Sequence, residues 1–223
     1  ERHTMDGITW DAQKEWKLRG GEDAFILGFT FSRESFYGLP TSDKKNWINS
    51  HRTSESLYAS YAYRAAPRFT VTLGLRGEHI SDYSKTQNIL LPQIQTNYKF
   101  DDHSSWYVNI GKAYEVAPIN QFFSQKGGDV SQVKAQQGWT YETGYKYVGR
   151  HNSFKAALYH MSIKDAFKWK KTPPPDLTDY LSNVDDFRNT GVELEYNHQM
   201  DDHWSFNLGL SLSNPQTRSD GGG

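Results

Sequence analysis

The sequence predicts an all-β protein, an antiparallel up-and-down barrel wall of about ten strands that crosses a membrane, and three observations carry that reading. The first is an asymmetry of connections. Strand-like segments are joined alternately by tight polar turns, at Arg19–Glu22, Ala65–Arg68, Asp101–Ser104, Gly149–Asn152 and Met200–His203, and by long irregular stretches, roughly Phe36–Thr53, Ser81–Leu90, Glu115–Gly138 and Asp165–Asp185. In an up-and-down sheet every second connection falls on the same rim, so one rim is short and the other elaborate, as in outer-membrane barrels. The second is period-2 alternation of apolar and polar residues. The third is a gathering of aromatic residues beside the tight turns.

Taken in order, the first two strands are expected over Ile8–Leu18 and Ala24–Ser35, and the third over Leu57–Arg64. In the fourth, Phe69, Val71, Leu73 and Leu75 oppose Thr70, Thr72, Gly74, Arg76 and Glu78. The fifth sets Ile94, Tyr98 and Phe100 against Gln93, Gln95, Asn97 and Lys99; the sixth sets Trp106, Val108 and Ile110 against Tyr107, Asn109 and Gly111. Trp139–Val148 and Phe154–Ile163 follow. The ninth places Val192, Leu194 and Tyr196 opposite Gly191, Glu193, Glu195 and Asn197, and the tenth alternates Trp204, Phe206, Leu208, Leu210 and Leu212 with Ser205, Asn207, Gly209, Ser211 and Ser213. Two turns echo each other as Asp101-Asp102-His103 and Asp201-Asp202-His203, which the turn preference of Asp explains without chemistry.

Alternation alone does not say which face is outside. A soluble ligand-carrying barrel turns the apolar face inward, and a membrane barrel turns it toward lipid. Tyr61, Tyr63, Phe69, Tyr98, Phe100, Trp106, Tyr145, Tyr147, Phe154, Tyr196 and Trp204 all lie within a few residues of a tight turn on the apolar parity. Amphipathic rings at one level form an interfacial girdle, so the apolar face is expected outward against outer-membrane lipid.

Composition narrows the function. A mean hydropathy of -0.81 is low, but alternating strands keep the average low even in a membrane protein, and no stretch approaches the roughly 20 apolar residues of a spanning helix. The net charge of -1 gives no electrostatic case for nucleic acid. With no cysteine there is neither a disulfide framework nor a thiolate metal site. The chain opens at Glu1-Arg2-His3 without a charged-then-apolar leader, so any signal peptide is expected to have been removed or to lie outside this sequence.

Several segments then resemble, in order over Leu57–Asn214, the barrel of TonB-dependent outer-membrane receptors, the ferric-siderophore branch above all. Leu73-Gly74-Leu75-Arg76-Gly77-Glu78 resembles a strand ending Gly-Leu-Arg-Tyr-Glu, with Gly77 in place of the aromatic. Leu91-Pro92-Gln93-Ile94 resembles the next strand entry, and Gly111-Lys112-Ala113-Tyr114-Glu115-Val116-Ala117-Pro118 the following strand-to-loop passage. Lys134-Ala135-Gln136 and Tyr141-Glu142-Thr143-Gly144-Tyr145-Lys146 resemble Lys-Pro-Glu and Tyr-Glu-x-Gly-x-Lys elements, and Asn189-Thr190-Gly191-Val192-Glu193-Leu194-Glu195 the Gly-Val-Glu strand. The resemblance implies a barrel of about 22 strands around a plug. Residues 1–223 are accordingly expected to be a partial barrel domain, about ten strands of the larger one with no plug, in the outer membrane of a Gram-negative-type bacterium. It implies uptake of ferric siderophore with energy from the TonB inner-membrane complex, which would act through the missing plug.

No site chemistry is legible among the histidines: no His-Glu-x-x-His spacing and no phosphate-binding Gly-rich loop occur, so neither catalytic nor metal residues are expected and no covalently bound cofactor is called for. Asp101-Asp102-His103 and its echo could act as Asp–His pairs in an outer-membrane enzyme, but they sit at the short-turn rim. Arg76, Glu78, Glu142, Lys146, Glu193 and Glu195 on the polar face would line a substrate path or form lumenal ion pairs. In the long connections Trp47, Tyr83, Phe122, Phe123, Phe167, Trp169 and Arg188 supply aromatic planes and a cation suited to a bulky anionic chelate. A haem receptor of the same family is the neighbouring reading, in which His79 and His160 could serve as ligands, although both are expected to be strand-end or lumenal residues instead. The loop Glu115–Gly138 contains no His, which favours siderophore.

Overall fold

The computed structural model describes residues 4–38, 48–82, 85–119, 133–171 and 179–219. Ten strands follow one another: β1 Thr4–Leu18, β2 Asp23–Gly38, β3 Ile48–Ala66, β4 Phe69–Ser81, β5 Thr86–Lys99, β6 Ser104–Glu115, β7 Gln136–Val148, β8 Asn152–Lys171, β9 Asp179–Gln199 and β10 Ser205–Ser219. They form one antiparallel sheet in sequence order. The five tight turns therefore share one rim and the four long connections the other, as the loop asymmetry requires. Among the described residues β1 and β10 each pair on one side only, so the wall is not closed into a cylinder.

The long connections are shorter than the sequence indicates, because strands run on into them. β8 continues to Lys171 and β9 begins at Asp179, so Phe167, Trp169 and Arg188 lie on strands rather than in a loop. β2 and β3 extend similarly toward Gly38 and Ile48, and β4 and β5 are separated only by residues 82–85. Trp47, Tyr83, Phe122 and Phe123 lie outside the described residues.

Register fixes the two faces. Directly opposed residues share a face, and one row runs Trp16, Phe25, Tyr61, Leu73, Ile94, Ile110, Tyr141, His160, Thr190, Asn214. Leu73 and Leu208 on that face are 53% and 58% exposed, whereas the opposite face carries buried Ser56, Glu78, Tyr107 and Ala157. Side chains crowd on the polar face and stand open on the apolar one, the signature of a wall curving around a polar lumen. Val71, Val108, Leu194 and Leu210 share the outward parity, as the alternation predicts.

On β4 the outward apolar run Phe69–Gly77 spans nine residues and ends at His79, matching the length of a tilted spanning strand. Phe69 opens β4 and is level, through Tyr98, Trp106 and Tyr145, with Ala156, four residues into β8. One residue of drift per strand, at a rise of about 3.3 Å and a spacing of about 4.8 Å, is a tilt of about 35°. The outer edge of the band drifts the same way, because His160, where polarity begins on β8, is level with Leu73, below His79. Transmembrane barrel strands tilt in this range. The girdle is continuous near the short turns, with ring centroids 6.4 Å apart for Phe69–Tyr98, 5.2 Å for Tyr98–Phe100, 6.3 Å for Phe100–Tyr145 and 6.5 Å for Tyr145–Phe154.

Side-chain locks pin the register. Tyr58, Tyr107 and Tyr159 each lie across the glycine directly opposite, Gly28, Gly144 and Gly191. A Cβ on Gly144 would stand 2.6 Å from the Tyr107 hydroxyl oxygen, so only glycine permits the approach. At the short-turn rim Asp23 accepts from Arg19 Nε at 2.6 Å, from Arg19 Nη2 at 2.7 Å, from the Tyr61 hydroxyl at 2.7 Å and from the Arg64 amide at 2.9 Å, tying two turns together. The echoed turns are Asx turns: Asp101 accepts from the amides of His103 at 2.8 Å and Ser104 at 2.6 Å, and Asp201 from those of His203 at 2.7 Å and Trp204 at 2.8 Å.

Two measurements test this arrangement. Gly144→Val should destabilise the folded barrel by about 1–3 kcal/mol through overpacking against both the Tyr107 ring and the Ala156 carbonyl, and a second change, Tyr107→Ala, should relieve only the Tyr107 share of that loss in denaturant titrations. The amides at His103 and Ser104 hold the Asp101 carboxyl below its ordinary value of 3.8. A depressed acid stabilises above its unfolded pKa, so the turn should stay ordered through pH 4 and loosen only as pH falls through the lower, folded value. The Ser104 amide resonance should therefore titrate with a midpoint below 3.8, and Asp101→Asn should abolish the titration.

Candidate functional site

The polar face is built as two charged clusters beneath the long-loop rim. In the lower one the Tyr107 hydroxyl crosses Gly144 to donate to Glu142 Oε1 at 2.5 Å, and Lys146 Nζ stands 4.7 Å from the centroid of the Tyr107 ring. In the upper one Arg76 pairs with Glu78 on the same face of β4, and its guanidinium lies 5.5 Å from the Tyr58 ring, whose hydroxyl donates to Gln13 at 3.0 Å. All six charged residues expected on this face, from Arg76 to Glu195, have the lumenal parity. Arg76–Glu78 is an ion pair within the wall.

Nearer the rim is a residue the sequence did not single out. Arg52, 3% exposed, stands opposite Glu34 with nitrogen and oxygen 3.5 Å apart; a second nitrogen is 3.9 Å from Asp82. The same Nη2 donates to the Ala117 carbonyl at 2.6 Å. Arg52 thus ties the segment leaving β6 onto the polar face of β3. Its forked donors suit this bridging of carboxylates and carbonyl, which a lysine would not match.

The other end of the β6–β7 connection is tied as firmly. The Asn183 side chain accepts from the Lys134 amide at 2.6 Å and donates to the Lys134 carbonyl at 2.9 Å and the Asp165 carbonyl at 2.6 Å. Gln87 Oε1 accepts from the Ala135 amide at 2.9 Å. Ala135 packs with Ile80 and Ile89, and Tyr114, Val116 and Leu91 cover that cluster. The space exists because β6 leaves β5 after the pair Gln93–Gly111, next to Pro92, which has no N–H to extend the ladder. Lys134-Ala135-Gln136 is thus a clamp between β5 and β9, and the roots of the long connection fold over the mouth of the polar face.

The described candidate binding residues separate at this point. Phe167 packs against buried Ala117, Val133 and Leu181 and belongs to that roof. Trp169, opposite Leu181, is 48% exposed beside it, with its ring open at the rim. Arg188 stands opposite Ser162 and Gln216, on the outward parity shared with His160, and faces away from the lumen. His79 and His160 also lie on the outward face; their Nδ1 atoms are each 2.7 Å from a cross-strand partner, Asn88 Oδ1 and Thr190 Oγ1. Of the strand-end or lumenal placements expected for them, register excludes the lumenal one, and His79 lies two residues from the end of β4. Among the described residues no group of three His, Asp or Glu is placed to hold a metal ion.

A model of TonB-dependent receptor-like β-barrels matches residues 2–223. An uncharacterized TonB-dependent receptor of Haemophilus influenzae is 26% identical over 188 residues, 76% of this chain and 52% of that protein. Among solved structures, the FrpB iron transporter of Neisseria meningitidis superposes with a TM-score of 0.78 at 15% identity, covering 96% of this chain and 36% of that one. The copper transporter OprC gives 0.77 at 18% identity over 98% of this chain and 39% of its own. The ferric enterobactin receptor PfeA of Pseudomonas aeruginosa, in complex with enterobactin, gives 0.77 at 17% identity over 94% and 36%. The chain thus spans about half the length of the curated relative and little more than a third of each structure.

The clamp is open to a direct test. Arg52→Met leaves Asp82 buried without the guanidinium and frees the Ala117 carbonyl; on the order of 3 kcal/mol should be lost locally. Hydrogen exchange should accelerate at residues 116–119 and 133–135 while the β7–β8 ladder stays protected.

Proposed function

The chain belongs to the TonB-dependent receptor-like β-barrel family, and on that premise we propose that it forms a sector of the wall of an outer-membrane importer that takes up a ferric siderophore. In this reading the long-loop rim captures the chelate, the polar lumen passes it, and the TonB inner-membrane complex supplies the work through a plug carried elsewhere in the receptor. No covalent bond is made or broken. The observation that carries the reading is the pairing of an aromatic rim with a charged lumen. The exposed Trp169 ring stands beside a roof rooted on Arg52 and Asn183, above a wall lined by Arg76, Glu78, Glu142 and Lys146. A large anionic chelate offers flat faces for such rings and negative charge for cations. The iron transporter and the ferric enterobactin receptor among the structural neighbours support an iron chelate as cargo.

The placement of the histidines argues against haem ligation by this segment, since His79 and His160 turn outward. Trp47, Tyr83, Phe122 and Phe123 remain proposed contacts alongside Trp169, whereas Phe167 acts through the roof.

Titration of the intact receptor with a ferric catecholate siderophore should show roughly tenfold weaker binding for Trp169→Ala, the scale of an aromatic contact, and a comparable loss for Phe122→Ala with Phe123→Ala. His103→Ala and His203→Ala, in the short turns, should bind as the parent does. Equal losses from both sets would overturn the rim assignment, and haem binding abolished by His79→Ala would replace the cargo.

A further inference from the structure

At its short-turn end the lumenal face carries a row of lysines that neither the roof nor the rim uses. Register aligns Lys99, Ser105, Lys146, Lys155 and Glu195 across β5 to β9. Lys99 closes β5, and its amide donates to the Arg68 carbonyl at 2.8 Å, so this end of the row lies beside a tight turn. Lys99 and Lys146 stand two strands apart, about 10 Å, with the short Ser105 side chain between them. Two lysine stems span that distance onto one bound group. Among the described residues no carboxylate pairs with either ammonium.

A hollow of about 350 Å³ lies against this row, walled by Thr70, Thr72, Gln95, Asn97 and Asn109 and reaching Ser105, Tyr107 and Lys146. Hydroxyl and amide groups donate hydrogen bonds without adding charge, and the lining holds no Asp or Glu. Glu142, the carboxylate of this cluster, is engaged elsewhere, accepting from the Tyr107 hydroxyl at 2.5 Å across Gly144. Lys146 Nζ rests 4.7 Å from the centroid of the Tyr107 ring, a contact that steadies the ammonium at the hollow and leaves its charge uncancelled. The neighbouring lumenal hollow, about 360 Å³, sets Glu193 and Glu195 against Lys155 alone. Only the first hollow is built for an anion.

We propose that this hollow is an exit-side station for a carboxylate carried by the cargo, its oxygens shared between Lys146 and Lys99 and its remaining bonds supplied by the hydroxyl and amide walls. Charge-assisted bonds of this kind are the strong ones. An ammonium is a compact point charge on a flexible stem, which follows a moving ligand where a guanidinium fork would fix it. The long-loop rim lies at the other end of the sheet, so an anionic chelate taken in there and passed along the lumen meets this row last. The proposal rests on the transport reading for its cargo, and it narrows that cargo to chelates with a free carboxylate.

The test uses the full-length receptor in detergent, with citrate as the probe carboxylate and its neutral triamide as the control. Acetylation of accessible lysines by acetic anhydride, read by mass spectrometry of the digested protein, reports where the probe sits. Citrate should shield Lys99 and Lys146 and leave Lys164, on the outward face, reactive; the triamide should shield none of them. In equilibrium dialysis, Lys146→Gln should retain labelled citrate roughly tenfold more weakly, the scale of one charged hydrogen bond. Lys146→Arg should keep retention, Asn109→Asp should abolish it by placing a carboxylate in the wall, and Lys164→Gln should change nothing. Equal shielding by citrate and triamide, retention that survives Asn109→Asp, or a Lys146 already closed to acetylation by the receptor's own plug overturns the station. Titration of the same sample with a ferric catecholate siderophore reads the rim separately. Rim binding without citrate shielding defeats the station alone, and shielding without rim binding upholds the station and defeats the cargo reading.

Discussion

Every other feature of this wall depends on lateral backbone hydrogen bonding between neighbouring strands. A chain that crosses hydrocarbon must satisfy each amide and carbonyl from within the protein, and a sheet does so sideways, leaving side chains to face two different surroundings. Once Leu73 is opposite Tyr61 and Ile94, the face of every residue from Trp16 to Asn214 in that row follows. The girdle, the lumenal charges and the outward histidines are consequences of one continuous register.

That dependence explains what could be read from the sequence. Where a strand separates lipid from lumen, the two environments stamp alternation on it, and Phe69–Gly77 or Phe206–Leu212 are legible for that reason. Beyond the apolar band both faces meet polar surroundings and the stamp disappears. Lys164–Lys171 and Asp179–Arg188 are strands that carry no period-2 signal, so they read as loop. The tight turns were legible because Asp and Gly carry turn geometry locally, and Asp101 and Asp201 make the bonds their echoed sequence implies.

The site was less legible, since its parts meet only through the fold. Arg52, on β3, meets Asp82 and Ala117 from two connections far apart in the chain, and Asn183 reaches both Lys134 and Asp165. Nothing in the neighbourhood of Arg52 distinguishes it from a solvated arginine in a polar stretch. Phe167, Trp169 and Arg188 share only the side-chain chemistry that suits a chelate, and the fold divides them into a roof residue, a rim residue and an outward cation. The bulges between Ile163 and Phe167 shift the register of β8 against β9 just before Phe167, a change that no local pattern reports.

The tyrosines lying across glycines bear on how such a wall assembles. Alternation forbids a strand from slipping by one residue, since every side chain would change face, but it is blind to a slip of two. A slip of two would set Tyr58 against Ile26 or Thr30, Tyr107 against Glu142 or Lys146, and Tyr159 against Glu193 or Asn189, in each case replacing an empty glycine position with a side chain. Three glycines therefore act as proofreading marks on three separate seams, correcting the class of error that the hydrophobic pattern leaves undetected.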